Sequence, residues 1–160
     1  MEDYRYDVDW SILSAMGAAA PRVSVETDKG EMVLVLYPEV APASVANFIS
    51  LVRDGFYENI PFHRVVANFV VQAGCDRGDG YGGAPRVIRS ERKPIYYDRA
   101  GLLGMARSGL HTESSQFFIT HSPTPHLDGN YTIFGELIEG NEVLDAIMQG
   151  DSIRQIRILD

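Results

Sequence analysis

The chain has 160 residues, 45% of them hydrophobic, which is enough for one domain with a sizeable core. Its formal net charge of −8 argues against a nucleic acid as the main ligand, because binding phosphates requires a basic surface. The single cysteine, Cys75, excludes an intrachain disulfide, and the sequence shows neither an apolar run of about 20 residues nor the basic start of a signal peptide.

The start of the chain differs in character from the rest. We interpret residues 1–20 as an N-terminal extension or linker and residues 21–160 as the main domain. Within the extension, Trp10 and Leu13 lie at rough helical spacing and Asp9 is a candidate cap, so a short helix is predicted. A disordered tail is the alternative interpretation.

A β-hairpin and an amphipathic helix are predicted next. Apolar residues alternate with a period of two on both sides of Lys29 and Gly30, in RVSVETD and EMVLVLY, which indicates paired strands. Residues 42–55, PASVANFISLVRDG, carry apolar side chains at helical spacing. Gly55 agrees with a helix end at that point, and Ser44 is a candidate cap at the start.

Short strands dominate the remainder of the chain. They are predicted in PFHRVVANFVVQAG (as two strands), GLLGMA, SQFFIT, YTIFGELIE and SIRQIRIL, whereas residues 76–94 are predicted to be mostly loop. A second helix is predicted with Asn141 as its cap, through Met148, and ending at Gly150. About eight short strands and two helices favour a closed barrel or a sandwich with helices at its ends.

Common cofactor motifs are weak or absent. The segment GDGYGG at residues 78–83 matches G-x-G-x-x-G, but no apolar helical stripe follows it, so a flexible loop or a close backbone approach to a ligand is the better interpretation. His63, His111, His121 and His126 form no HExxH motif, and one cysteine cannot complete the usual zinc sets. We therefore expect neither a cofactor nor a metal.

Two polar residues interrupt the most apolar segment of the chain. Arg64 and Gln72 lie within FHRVVANFVVQ, and burying a neutral polar group without a partner costs roughly 2–7 kcal/mol. Phe117 and Phe118 are adjacent on a predicted strand and must point to opposite faces. One of them can therefore be core while the other lines a surface groove.

From about Pro21 to Asp160 the sequence resembles the cyclophilins, a family of peptidyl-prolyl cis-trans isomerases. FHRVVANFVVQAG is similar to the first signature of the family, and SSQFFIT together with LDGNYTIFG is similar to the second. The resemblance implies a mainly β fold, a closed eight-stranded antiparallel β-barrel capped by two α-helices. It also implies rotation of Xaa-Pro peptide bonds in protein substrates, assisting folding, without a cofactor.

The resemblance carries site residues onto this sequence. Arg64 takes the place of the catalytic arginine, and Gln72 takes that of the amide that holds the substrate backbone. Phe69, Phe118 and Leu127 take the walls of the proline pocket. The other implied binding positions are Val70, Gly80, Ala106, Arg107, Ser108, Gln116, His126 and Tyr131.

Four of these positions depart from the usual family residues. Val70 stands where many members have Met, Arg107 where Asn is usual, His126 where a Trp contacts cyclosporin, and Tyr131 where a His is found. Similar replacements occur in bacterial members, so activity is expected to persist in this bacterial-like member. The sequence leaves the compartment open between the cytoplasm and the periplasm of a bacterium. The expected partners are proline-containing peptides, unfolded or client proteins and, weakly, cyclosporin A, with no nucleic acid or membrane, and the chain is expected to be a monomer. The departures leave one alternative, a proline-peptide binding or scaffold module with incidental catalysis.

Overall fold

The computed structural model describes residues 8–17 and 19–159, and its main feature is one antiparallel sheet of nine strands. The strands are β1 Arg22–Thr27, β2 Gly30–Leu36, β3 Ile60–Pro61, β4 Arg64–Val66, β5 Val70–Ala73, β6 Leu102–Met105, β7 Phe117–Thr120, β8 Ile133–Glu139 and β9 Ser152–Leu159. Their order across the sheet is β3-β9-β1-β2-β8-β6-β7-β5-β4. The hairpin predicted around Lys29 and Gly30 is confirmed by the pairing of β1 with β2.

The edge strands of the sheet, β3 and β4, are consecutive in the chain and separated only by Phe62 and His63. The sheet must therefore curl, which confirms the mainly β, antiparallel, barrel-like fold. Two details differ from the expected barrel: there are nine strands, and no ladder joins β3 to β4 in the described part of the chain. At this seam the backbone of Phe62 bonds to Asp151 (2.7 Å) and Gly150 (3.1 Å) instead of to β4.

Three α-helices accompany the sheet in the described residues: α1 Ser11–Ala15, α2 Pro42–Arg53 and α3 Asn141–Ala146, with a 3₁₀ turn at Pro125–Leu127. The helix predicted at residues 42–55 is confirmed by α2. The second predicted helix exists but is shorter, because Ile147 is extended (ψ 130°) and Met148 is 65% exposed. None of the described helices is long and apolar enough to cross a bilayer.

The N-terminus of α2 is capped by a residue distant in sequence. The Glu91 carboxylate accepts hydrogen bonds from the backbone N–H groups of Ala43 (3.1 Å) and Ser44 (2.7 Å), and from the Ser44 hydroxyl (2.8 Å). A negative charge at this position also complements the helix dipole. The prediction of Ser44 as the cap was therefore wrong. The hydrogen bonds of Glu91 also connect the long loop of residues 76–94 to α2.

The core lies between α2 and the concave side of the sheet. The ring of Phe48 packs against Phe117, Phe134 and Tyr57, with centroid distances of 5.6, 5.5 and 5.2 Å. The remaining members of the predicted apolar stripe are also buried: Val45, Ile49 and Val52. Burying each large apolar side chain contributes about 1.5–3 kcal/mol, so α2 and the sheet stabilise each other.

The described part of the N-terminal segment packs against α2. Ile12 on α1 is only 3% exposed and belongs to the main core, whereas its neighbour Trp10 is 54% exposed. The Asp9 carboxylate accepts a hydrogen bond from the backbone N–H of Ser11 (3.1 Å), which stabilises the first turn of the short helix predicted here.

We predict that Ile12→Ala lowers the free energy of unfolding by about 2 kcal/mol, because it removes buried methylene groups and leaves a cavity. Trp10→Ala is the matched control in the same segment, and its effect should be much smaller because the indole is half exposed. Thermal or urea unfolding of both variants measures the difference. Equal effects of the two substitutions would contradict the docking of α1.

Candidate active site

A row of directly opposed residues on four neighbouring strands builds the site. Arg64 on β4 pairs with Gln72 on β5, Gln72 with Phe118 on β7, and Phe118 with Gly104 on β6. Cross-strand partners share one face of a sheet, so these residues all lie on the same side.

The adjacent row shows which side that is. It contains Val65, Val71, Ile119 and Leu103, paired in the same strand order. Val71, Ile119 and Leu103 are fully buried in the main core, so this row points into the barrel. Because side chains alternate along a strand, the row of Arg64 and Gln72 points outward. Arg64 is exposed and Gln72 is half-buried, as outward positions permit.

The two adjacent phenylalanines divide between the faces as predicted. Phe117 packs in the main core with Phe48, whereas Phe118 belongs to a second, outer apolar cluster with Val70 and Leu127. Gly104 makes room for Phe118, since a Cβ at this position would collide with the ring of Phe118 and with the Tyr97 hydroxyl. No pattern in the sequence singled out Tyr97, which lies beneath this ring, 5.8 Å away between centroids.

The outer face holds two adjoining cavities. The first has a volume of about 420 Å³ and is lined by Arg64, Phe69, Val70, Gln72, Ala106, Arg107, Phe118, His126, Leu127 and Tyr131. The second, of about 380 Å³, contains the remaining predicted positions Gly80, Ser108 and Gln116, and shares Gln72, Ala106 and Arg107 with the first. The structure thus brings every predicted site residue to one continuous groove.

Aromatic rings wall the first cavity. Phe69 stacks on the exposed His126 ring, with centroids 5.2 Å apart and an interplanar angle of 29°. Phe118 meets Tyr131 edge to face at 6.0 Å, and Leu127, which is 8% exposed, lies between these walls in the outer cluster. Phe69, Phe118 and Leu127 therefore form an apolar slot within this cavity, against which a small ring can pack.

Arg64 lies at the mouth of this slot. Its Nη1 donates a long hydrogen bond to Gln72 Oε1 (3.4 Å), and its Cζ is 5.7 Å from the centre of the Phe69 ring. No carboxylate among the described residues forms a salt bridge with it. A guanidinium has five N–H donors, so most of them remain free to bond a ligand in the slot.

A chain of amides continues from Arg64 into the second cavity. Gln72 Nε2 donates to Gln116 Oε1 (3.0 Å), and Gln116 Nε2 donates to the carbonyls of Gly80 (2.9 Å) and Gly82 (2.8 Å). The two cavities are therefore linked by one hydrogen-bonded network. No helix directly follows the glycine-rich segment, and its backbone forms a wall of the second cavity.

The loop that forms this wall is folded around Cys75. The buried Cys75 sulfur accepts the backbone N–H groups of Gly80 (3.3 Å) and Gly82 (3.2 Å). Tyr81, 88% exposed, projects at the rim of the cavity. Tyr81 and Thr112 also line this cavity but were not predicted, because both lie in loops without periodicity. The glycines of the segment were the one signal that its backbone approaches a ligand.

The surroundings of His63, which precedes Arg64 in the chain, disfavour the charged form of its imidazole. Partial burial, followed by the positive charge of Arg64, lowers the pKa of its imidazole below the ordinary value of 6.5. Its Nδ1 is buried without a hydrogen-bond partner in the described structure. No group of three or more His, Cys, Asp or Glu residues able to hold a metal occurs within residues 8–17 and 19–159.

Known proteins share both the sequence and the fold. Residues 22–160 match the profile of the family described as cyclophilin type peptidyl-prolyl cis-trans isomerase/CLD. Peptidyl-prolyl cis-trans isomerase B of Bacillus subtilis is 42% identical over 132 residues, which cover 82% of this chain and 92% of that protein. A peptidyl-prolyl cis-trans isomerase of Helicobacter pylori is 43% identical over 137 residues, 83% of each chain.

Solved structures give the same result. A cyclophilin type peptidyl-prolyl cis-trans isomerase of Cryptosporidium parvum superposes with a TM-score of 0.85 at 34% identity, covering 89% of this chain and 99% of that one. The same protein in the presence of the dipeptide Ala-Pro superposes with a TM-score of 0.83. Fold and sequence together define a cyclophilin-type domain.

This chain accordingly belongs to the cyclophilin-type peptidyl-prolyl cis-trans isomerase family, as the two sequence motifs indicated.

We predict that His63 makes the protein less stable in mild acid. The folded state disfavours the imidazolium, so the unfolded chain takes up this proton first as the pH falls through about 6.5, and the free energy of unfolding drops. Thermal unfolding between about pH 7.5 and 5.5 should show a smaller loss for His63→Gln than for the wild type. Identical pH dependence of the two proteins would show that His63 is not the group responsible.

Proposed function

We propose that this chain catalyses rotation about Xaa-Pro peptide bonds in peptides and unfolded proteins, with Arg64 as the catalytic residue. The observation that carries the proposal is the position of the Arg64 guanidinium, which Gln72 orients at the mouth of an apolar slot formed by Phe69, Phe118 and Leu127. A prolyl ring fits the slot, and its nitrogen would then lie beside the charged donor.

The chemistry requires no nucleophile, because no bond is broken. Donation of the nitrogen lone pair into the carbonyl keeps a peptide bond planar, with a rotation barrier of about 18–20 kcal/mol. In the twisted transition state the lone pair is localised on nitrogen and can accept a hydrogen bond. Arg64, permanently charged and directional, bonds this state better than the planar one, which is the condition for catalysis.

The magnitudes show that Arg64 does not act alone. Each tenfold in rate requires about 1.36 kcal/mol, so an acceleration of about 10⁵ requires about 7 kcal/mol. A hydrogen bond to a charged group contributes about 1.5–3 kcal/mol. We assign the remaining transition-state stabilisation to two interactions. The apolar slot packs against the prolyl ring, and Gln72 holds the substrate backbone while the carbonyl turns.

The second cavity extends the site along the peptide chain. We assign Ala106, Arg107 and Ser108 to binding of the substrate main chain, and Gln116 with Gly80 to the neighbouring subsite. Their support is the shared lining of the two cavities and the amide network that joins them. Proline-containing peptides are the partners that such a slot and groove would accept.

We predict that Arg64→Ala lowers kcat/KM for an Ala-Pro peptide by about 10²-fold, equivalent to about 2.7 kcal/mol. NMR exchange spectroscopy measures the rate, and unfolding curves verify that the variant folds. Arg154→Ala, which removes an exposed arginine paired with Asp28 (2.9 Å), is the matched control and should retain full activity.

Full activity of a folded Arg64→Ala protein would overturn the mechanism. Tight peptide binding by the wild type with background exchange would instead favour the alternative, a binding or scaffold module.

We also predict weak inhibition by cyclosporin A. The exposed His126 ring stacks on Phe69 at the rim of the slot, where it offers less apolar area than an indole. His126→Trp should therefore bind the inhibitor about tenfold more tightly, measured by titration of intrinsic fluorescence or by calorimetry. Equal affinities of the wild type and His126→Trp would contradict this role of His126.

A further inference from the structure

The groove has the opposite charge to the protein that carries it. The chain contains 22 Asp and Glu residues and has a net charge of −8. Among the residues that the structure describes, no carboxylate lines either cavity, whereas Arg64 and Arg107 line the first and Arg107 also lines the second. Asp79, next to the wall of the second cavity, is paired with Arg77 at 2.7 Å. Asp76 also has its Oδ1 close to Gly82, so the excess of positive charge lies in the part of the groove lined by Arg64 and Arg107.

Arg107 occupies the junction of the two cavities, because it lines both of them. Its Cζ lies 4.9 Å from the centre of the Tyr131 ring, a cation–π contact that orients the planar guanidinium. Any peptide that enters both cavities must pass this group. Arg107 can thus contact a side chain of the substrate as well as its backbone.

The guanidinium of Arg107 lacks an acceptor. Its Nε is buried without a hydrogen-bond partner, and no carboxylate of a residue that the structure describes forms a salt bridge with it. The terminal N–H groups of Arg107 also have no protein acceptor among the described residues, so they can bond an acceptor on a peptide in the groove. A carboxylate matches the planar fork of a guanidinium better than other acceptors in a peptide.

We propose that Arg107 is a specificity-determining residue that selects Xaa-Pro segments with an aspartate or glutamate close to the proline. This inference rests on the proposed function, because it places the proline in the slot of Phe69, Phe118 and Leu127. The long-range field of the acidic protein opposes acidic peptides, so the selection arises from short-range pairing at Arg107.

The experiment compares matched peptides that differ only by Glu or Gln at one position. Pairs are made for the second and third positions before the proline and the first and second positions after it, and NMR exchange spectroscopy gives kcat/KM for each. For at least one pair we expect the wild type to prefer the Glu peptide about three- to tenfold. Near 1 M salt, where the Debye length is about 3 Å, the preference should shrink.

Variants assign the preference to Arg107. The ratio of kcat/KM within a pair cancels any general loss of activity, so it is the quantity compared. Arg107→Gln should bring the ratio close to one, and Arg107→Glu should reverse it. Arg53→Gln changes the charge equally at an exposed position on α2 that lines neither cavity, and should retain the wild-type ratio.

The outcomes separate this inference from the proposed function. Catalysed exchange with a ratio near one for every pair would overturn the role of Arg107 and leave the isomerase activity standing. The same role is overturned if Arg107→Gln keeps the wild-type preference. Absence of catalysed exchange for all peptides would instead refute the proposed function itself.

Discussion

The site depends on the strand register that places Arg64, Gln72, Phe118 and Gly104 opposite one another on β4, β5, β7 and β6. A slip of one residue in the pairing of a strand exchanges its two faces. The side chain that faces the groove would then point into the core, and the core side chain would point to the surface. The buried row that includes Val71 prevents this slip, because its side chains belong to the main core. The packing that stabilises the barrel therefore also positions the groove.

Hydrogen bonds connect this row of residues to the loop that forms the wall of the second cavity. The amides of Gln72 and Gln116 connect Arg64 to the carbonyls of Gly80 and Gly82, in the loop that is also held by the sulfur of Cys75. The Gln72 amide therefore contributes both to orienting the Arg64 cation, through Oε1, and to shaping the second cavity, through Nε2. A groove built in this way is organised before a ligand binds, which is the arrangement that electrostatic catalysis requires.

Much of the site was predictable because its residues occur in two long motifs. Arg64, Gln72 and Phe69 are close in sequence, and family resemblance brought Phe118 and Leu127 to them. Tyr97, buried beneath Phe118, and Tyr81, at the rim of the second cavity, were missed because each lies in an irregular loop. The cap of α2 was assigned to Ser44 because local rules cannot detect Glu91, a partner 47 residues away.

The sequence by itself determined the antiparallel β class, the helix at residues 42–55 and the family, because periodicity and motifs are local properties of the chain. Only the tertiary structure decided that Arg64 and Gln72 point outward, that the seam between β3 and β4 is open, and that Arg107 lies between two cavities without an acceptor. These features depend on contacts between strands and loops far apart in the chain, which fix the direction of each side chain. The polar residues inside the most apolar segment are thus not a burial problem, since they face the groove and not the core.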